Sequence, residues 1–174
     1  MLYLHGKNLQ HRDLKTQNCL LVLENNQYRV KLADFGLSKS KQIVTTISGR
    51  KSKNRLSHTA TYMSPELLLD GEYGEPSDVY SFGIVIWEVV TFGVPFTGLD
   101  EAQITQKVTK ENGRPTPIPD SPSELTTLMQ DCWQTDRDKR PTFKAVVGNL
   151  QLSAAAIPRE KGSLDFPHFL SFCS

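Results

Sequence analysis

His11-Arg12-Asp13-Leu14-Lys15-Thr16-Gln17-Asn18 is followed by two short apolar stretches and then by Asp34-Phe35-Gly36, and that order decides how the chain is read. Cys19-Leu20-Leu21-Val22-Leu23 is a compact apolar run and Glu24-Asn25-Asn26-Gln27 is polar, while Tyr28-Arg29-Val30-Lys31-Leu32 alternates with a period of two. This is the pattern of a β-hairpin. Such a hairpin brings Asn18, before its first strand, and Asp34, after its second, to the same end. Two oxygen ligands so placed can share a metal ion, and a carboxamide with a carboxylate suits Mg²⁺, which takes few protein oxygens beside phosphates and water. Asp13 reads as a carboxylate that orients an attacking hydroxyl. Lys15, two residues on in an extended loop, offers a point positive charge to a transferred phosphoryl group. Phosphoryl transfer asks for little beyond such positioning and charge screening.

The rest of the composition narrows the class. The chain has 174 residues, 38% of them hydrophobic, and a formal net charge of +1, which suits one domain with a real core. No overall charge excess points to nucleic acid or a membrane surface. Cys19, Cys132 and Cys173 are odd in number and widely spaced, without a C-x-x-C pair, as expected in a reducing, cytoplasmic setting. Residues 1–5 lack the pattern of a secretory signal, and the apolar run from Val79 to Val90 is broken by Trp87-Glu88 and too short for a membrane span.

Between Gly36 and Ser64 there is no acidic residue, and Ser, Thr, Lys and Arg dominate without apolar periodicity, the pattern of a long mobile loop. Lys39, Lys41, Arg50, Lys51, Lys53 and Arg55 surround Thr45, Thr46, Ser48, Ser52 and Ser57 there, an arrangement that suits control by phosphorylation. Helical signals follow: a short segment from Pro65, then a longer one opened by Pro76-Ser77-Asp78 and stopped by Phe92-Gly93. On the longer one Phe82, Ile86 and Val89 share a face that Val85 and Val90 widen. Further helices are expected from Asp100 to Lys110, Ser121 to Trp133 and Pro141 to Leu152, separated by a proline-rich stretch from Gly113 to Pro119. From Ser153 the periodicity fades. Gly93 and Gly98 have the outer spacing of a phosphate loop, but Leu99-Asp100 follows where Lys and Ser/Thr are needed, so no nucleotide site is read there.

The octet fills every fixed position of H-R-D-L-x-x-x-N, and with Asp34-Phe35-Gly36 across one hairpin it resembles the eukaryotic protein-kinase family. The resemblance runs from Tyr3 to about Leu152. It implies a mainly α fold with a small β-hairpin, the C-terminal lobe of a kinase domain over residues 1–152, with 153–174 a tail outside it. Ser64-Pro65-Glu66 is similar to the family's Ala-Pro-Glu motif, and His58-Thr59 stands where Gly-Thr is usual. The resemblance implies catalytic roles for Asp13, Lys15, Asn18, Arg12 and Thr59. It puts Lys15, Asn18, Leu20 and Asp34 at the nucleotide, with Asn18 and Asp34 on Mg²⁺. Structural roles fall to His11, Phe35, Gly36, Glu66, Asp78 and Arg140: Asp78 would hold the backbone of the octet, and Arg140 would pair with Glu66.

Lys15 and Thr59 resemble serine/threonine kinases, whereas the helix text from Asp78 to Phe92 and Cys132-Trp133 resembles tyrosine kinases. That mixture is similar to the tyrosine-kinase-like branch of serine/threonine kinases. The expected activity is ATP- and Mg²⁺-dependent phosphorylation of Ser/Thr on a protein substrate, with an activating kinase or scaffold as further partner. The glycine-rich loop and strand lysine that roof the nucleotide in a complete kinase precede the catalytic loop. They do not occur upstream of His11 in this sequence. The N-terminal lobe is therefore expected to be absent, and the alternative reading is a catalytically inactive interaction module.

Overall fold

A computed structural model describes residues 1–34, 60–116 and 123–156, with 153–156 as backbone only. The basic loop, with Phe35, Gly36 and Thr59, lies outside the described residues, as do Cys173 and the tail from Ile157. The elements are α1 (Leu2–Gly6), β1 (Cys19–Glu24), β2 (Gln27–Leu32), α2 (Pro65–Asp70), α3 (Glu75–Thr91), α4 (Glu101–Thr109), α5 (Ser123–Cys132) and α6 (Phe143–Ala156). Single 3₁₀ turns lie at Thr16–Asn18, Ala60–Tyr62 and Arg137–Lys139. Among the described residues the fold is mainly helical with one two-stranded antiparallel sheet, as expected.

The hairpin forms with Cys19 opposite Leu32 and Glu24 opposite Gln27, so each strand runs one residue further than its apolar pattern suggests. Only Asn25 and Asn26 remain to turn, at φ 51° and 60°. Two successive left-handed residues make the tight turn that matches strand twist, and asparagine tolerates that backbone better than most side chains. Opposed residues share a sheet face. One face therefore reads Cys19, Leu21, Leu23, Tyr28, Val30 and Leu32. Cys19, Val30 and Leu32 are half-buried against the core, but Leu21 and Tyr28 are 68% and 53% exposed.

Helix α3 is the centre of the molecule. Pro76 sits in its first turn, where a missing N–H costs nothing, and the Ser77 hydroxyl accepts the Gly74 N–H at 3.2 Å. Every residue from Ser77 to Trp87 is buried, so this stretch has no solvent face at all. The expectation of one apolar face holds for Phe82, Val85 and Ile86 but fails at Val89, which is 39% exposed. Beyond Trp87 the helix emerges from its neighbours, and it stops at Phe92 in the left-handed region at φ 52°. Closest approach is to α5: a methyl added at Gly83 would lie 3.0 Å from Cys132 Cβ and 3.2 Å from the Met129 carbonyl oxygen.

The remaining helices follow local signals. Asp100 and Gln103 cap α4 reciprocally, each side chain accepting the other's backbone N–H at 2.9 Å. Helix α2 ends at Gly71, left-handed at φ 70°, whose N–H reaches the Leu67 carbonyl. Helix α6 runs to Ala156, past the Leu152 expected from periodicity. No helix among the described residues is long and apolar enough to cross a membrane.

Candidate active site

The octet 11–18 has almost no secondary structure of its own, so its backbone polar groups need partners from elsewhere. Asp78, in the first turn of α3, supplies them. Its Oδ2 accepts the His11 N–H at 2.9 Å and its Oδ1 the Arg12 N–H at 3.0 Å. The Tyr73 hydroxyl donates to Oδ1, and His5 Nε2 lies 2.9 Å from Oδ2. A fully buried carboxylate is tolerable only when so satisfied. Burial, then the Asp78 charge and its hydrogen bond, hold the Tyr73 hydroxyl well above its ordinary pKa.

Arg12 turns the chain at φ 69°, and Asp34 does the same at φ 65° on the far side of the hairpin. Left-handed non-glycine residues are uncommon and concentrate at functional sites. Between them, Asp13 receives two donors on one oxygen: Lys15 Nζ at 2.7 Å and Asn18 Nδ2 at 3.1 Å from Oδ2. Asn18 Nδ2 also donates to the Asp13 carbonyl at 2.7 Å, which turns the Asn18 Oδ1 away from Asp13. His11 is fully buried; its Nε2–H reaches the Ala33 carbonyl at 3.2 Å and its Nδ1 accepts the Asp13 N–H at 3.4 Å. That arrangement needs a neutral ring, and burial, outweighing the pull of Asp78, lowers its pKa.

The hairpin closes the site. The Ala33 N–H donates to the Asn18 carbonyl at 2.8 Å, extending the ladder by one bond and placing Asp34 beside Asn18. Hard oxygen donors of this kind fit Mg²⁺. Among the described residues no group of three or more His, Cys, Asp or Glu could cage a metal. Asn18 and Asp34 are the residues here that could hold such an ion. Leu20, one residue into β1, is 50% exposed on the opposite face to Leu21.

Glu66 and Arg140 meet as expected. Nη1 and Nη2 of Arg140 donate to Oε1 and Oε2 of Glu66, both at 2.7 Å, and the Arg140 side chain is fully buried. Its other donors go to the carbonyls of Pro76, Gln134 and Thr135. Burial raises the Glu66 carboxyl, but the bonds and charge of Arg140 outweigh it and hold the group below the usual range. Arg12, by contrast, lies over the Tyr73 ring at 5.5 Å, with Nη2 on Gln10.

Sequence reasoning gave no role to His5, Thr16, Tyr62, Tyr73, Ser81 or Glu88, all bonded within or beside the site. A signal existed for two of these: Ser81 and Glu88 follow Asp78 at helical spacing, within the largely apolar stretch from Val79 to Val90.

The family model for protein tyrosine and serine/threonine kinases matches residues 1–150. The chain belongs to the protein kinase family and is tyrosine-kinase-like. It is 42% identical over 151 residues to a probable serine/threonine-protein kinase of Dictyostelium discoideum, covering 86% of this chain and 15% of that protein. To the serine/threonine/tyrosine-protein kinase HT1 of Arabidopsis thaliana it is 40% identical over 152 residues, 87% of this chain and 36% of the relative. To the insulin receptor-related protein of Cavia porcellus it is 36% identical over 152 residues, 87% of this chain and 11% of the relative. The chain thus spans well under half the length of these relatives.

Proposed function

We propose that residues 1–152 act as the catalytic-loop lobe of a kinase that transfers the γ-phosphoryl group of ATP to Ser or Thr hydroxyls of a protein. The observation that supports this best is the joint hold of Lys15 and Asn18 on Asp13 Oδ2, with Asp34 beside Asn18 at the hairpin's end. With Oδ2 so engaged, Asp13 Oδ1 takes the substrate hydroxyl, and Lys15 sits two residues away to meet a phosphoryl oxygen. Asn18 and Asp34 hold Mg²⁺, which screens phosphate charge when bound, and Leu20 faces the nucleotide. Lys15 favours Ser/Thr over Tyr as acceptor. Glu66–Arg140 and Asp78 hold the lobe together, while Thr59, Phe35 and Gly36 keep their family roles in this reading. Cys19 and Cys132, the latter buried, form no disulfide among the described residues, which fits a reducing cytoplasm.

The test is phosphate transfer from labelled ATP with Mg²⁺ to Ser, Thr and Tyr peptides by the full gene product that carries this chain. Asp13→Asn should lower the rate by roughly 10²- to 10⁴-fold, the usual worth of a positioned base. Transfer to tyrosine alone, or a rate indifferent to Asp13→Asn, sinks the reading. The 174-residue polypeptide by itself should turn over negligibly, since these residues supply a base and metal ligands but no glycine-rich loop to orient the triphosphate.

A further inference from the structure

Helices α5 and α6 pack against each other and leave a groove of about 490 Å³ between them, away from the residues assigned to phosphoryl transfer. From α5 it is lined by Glu124, Thr127, Leu128 and Asp131, whose spacing of three and four residues puts them on one helix face. Leu128 is buried and forms the floor. Leu152 of α6, which also lines the groove, is 72% exposed and extends that apolar surface outward. Glu124 and Asp131 stand two turns apart, about 10 Å along the α5 axis. Among the described residues the lining holds these two carboxylates and no Lys, Arg or His. Helix α6 ends one turn beyond Leu152 with no basic residue in its last turn, so its terminal carbonyls add partial negative charge nearby. The groove therefore suits an occupant with an apolar side chain and two cations.

We propose that the groove takes a segment of the chain's own, residues 157–164, with Arg159 and Lys161 on Glu124 and Asp131 and Ile157 on Leu152. The segment follows α6 directly and reads Ile157-Pro158-Arg159-Glu160-Lys161-Gly162-Ser163-Leu164. Arg159 and Lys161 come three and five residues after Ala156, far enough to span at most about 11 and 18 Å. Axes of packed helices lie only about 8–10 Å apart, so both cations reach α5. In an extended segment side chains two apart share a side, which groups Ile157, Arg159 and Lys161 and turns Glu160 away. The tether decides between this occupant and a free one. A short link holds a segment at an effective concentration in the millimolar range, enough for contacts that are individually weak. The inference stands whether or not the chain transfers phosphate.

Paramagnetic broadening in the full chain tests the docking. A nitroxide is placed on Gly162→Cys in a chain carrying Cys173→Ser. Cys132 is buried and burial pushes the Cys19 thiol up to about 12, so neither competes for the label. The Glu124, Thr127 and Asp131 amides should lose most of their signal, and the Leu21 and Leu23 amides should keep theirs. Arg159→Glu with Lys161→Glu leaves both helices untouched. It should cut the docked-to-free ratio by roughly tenfold, the worth of two exposed ion pairs, and return the signal. Glu124→Lys with Asp131→Lys should do the same, and the four reversals together should bring the broadening back. Absence of broadening at α5 with the natural charges overturns the proposal and leaves the groove to a separate partner. Broadening that survives both pairs of reversals overturns it too, since the charges would then play no part. Broadening that fades on dilution assigns the groove to a second copy's segment and overturns it equally.

Discussion

The octet and the hairpin each contribute half of the candidate site, and they are held by opposite means. Residues 11–18 lie on a helix buried on every side, which reaches them through Asp78 and Glu88 and leaves Leu14 only 1% exposed. Cys19 to Leu32 is held chiefly by its own ladder and rests on the core along Cys19, Val30 and Leu32, with Leu21, Leu23 and Tyr28 in the open. In the proposed reading the difference separates two tasks. A base and its lysine must be fixed to a fraction of an ångström, which packed and fully bonded surroundings achieve. Metal ligands on a hairpin end need only converge on an ion that itself completes the geometry.

The contrast breaks first at Arg140, on the helical side. Arg140→Ala leaves Glu66 half-buried and uncompensated beside the start of α3, and should cost about 3–5 kcal/mol. Denaturant unfolding measures it, and a loss below about 1 kcal/mol would mean the body does not depend on its buried pair.

His11 joins the two regions, and acid should part them. Its pKa in the fold is lowered, chiefly by burial, so the folded protein binds fewer protons than the unfolded chain just below the ordinary histidine value. Its contribution is fully present above about pH 6.5 and is lost as pH falls from there through the lowered value, with a slope of up to about 1.4 kcal/mol per unit. Denaturation midpoints at pH 7.5, 6.5 and 5.5 should show that slope in the wild type and not in His11→Gln. An equal slope in both would place the acid sensitivity elsewhere. The Glu66 carboxyl, held low, adds its own loss only below the ordinary carboxylate range.

The smallest effect is expected on the hairpin. Leu21→Thr replaces an exposed leucine by a residue with good strand propensity, and unfolding free energy should move by no more than about 0.5 kcal/mol. A loss several times larger would show that this face is covered, and the contrast between the two regions would have to be redrawn.

Much of this was legible in the chain, and the misses are instructive. The hairpin was readable because its alternation and polar turn are local, and the ends missed by one residue because Glu24 and Gln27 are polar yet still pair. Pro76, and Asp100 at the start of its expected helix, marked their helices for the same reason. Val89 was misassigned because helical spacing tells which residues share a face, not how far along the helix its neighbours reach. Tyr62 and Thr16 went unnoticed since hydroxyls carry no pattern until the chain folds, and Glu88 because its helical spacing from Ser81 and Asp78 does not say what it would meet.

The sequence by itself determined the order and chemistry of Asp13, Lys15, Asn18 and Asp34, the hairpin that joins their ends, and the kinase family, because these depend on residues a few positions apart. The family resemblance led to the expectation of Asp78 on the octet and of Arg140 on Glu66, which meet across 67, 66 and 74 residues, but only the tertiary structure decided that Glu88 binds Thr16 across 72. Bonds between such distant residues form only where the core has first brought α3 under the loop. They are properties of packing around one buried helix, which no short stretch of the chain encodes alone.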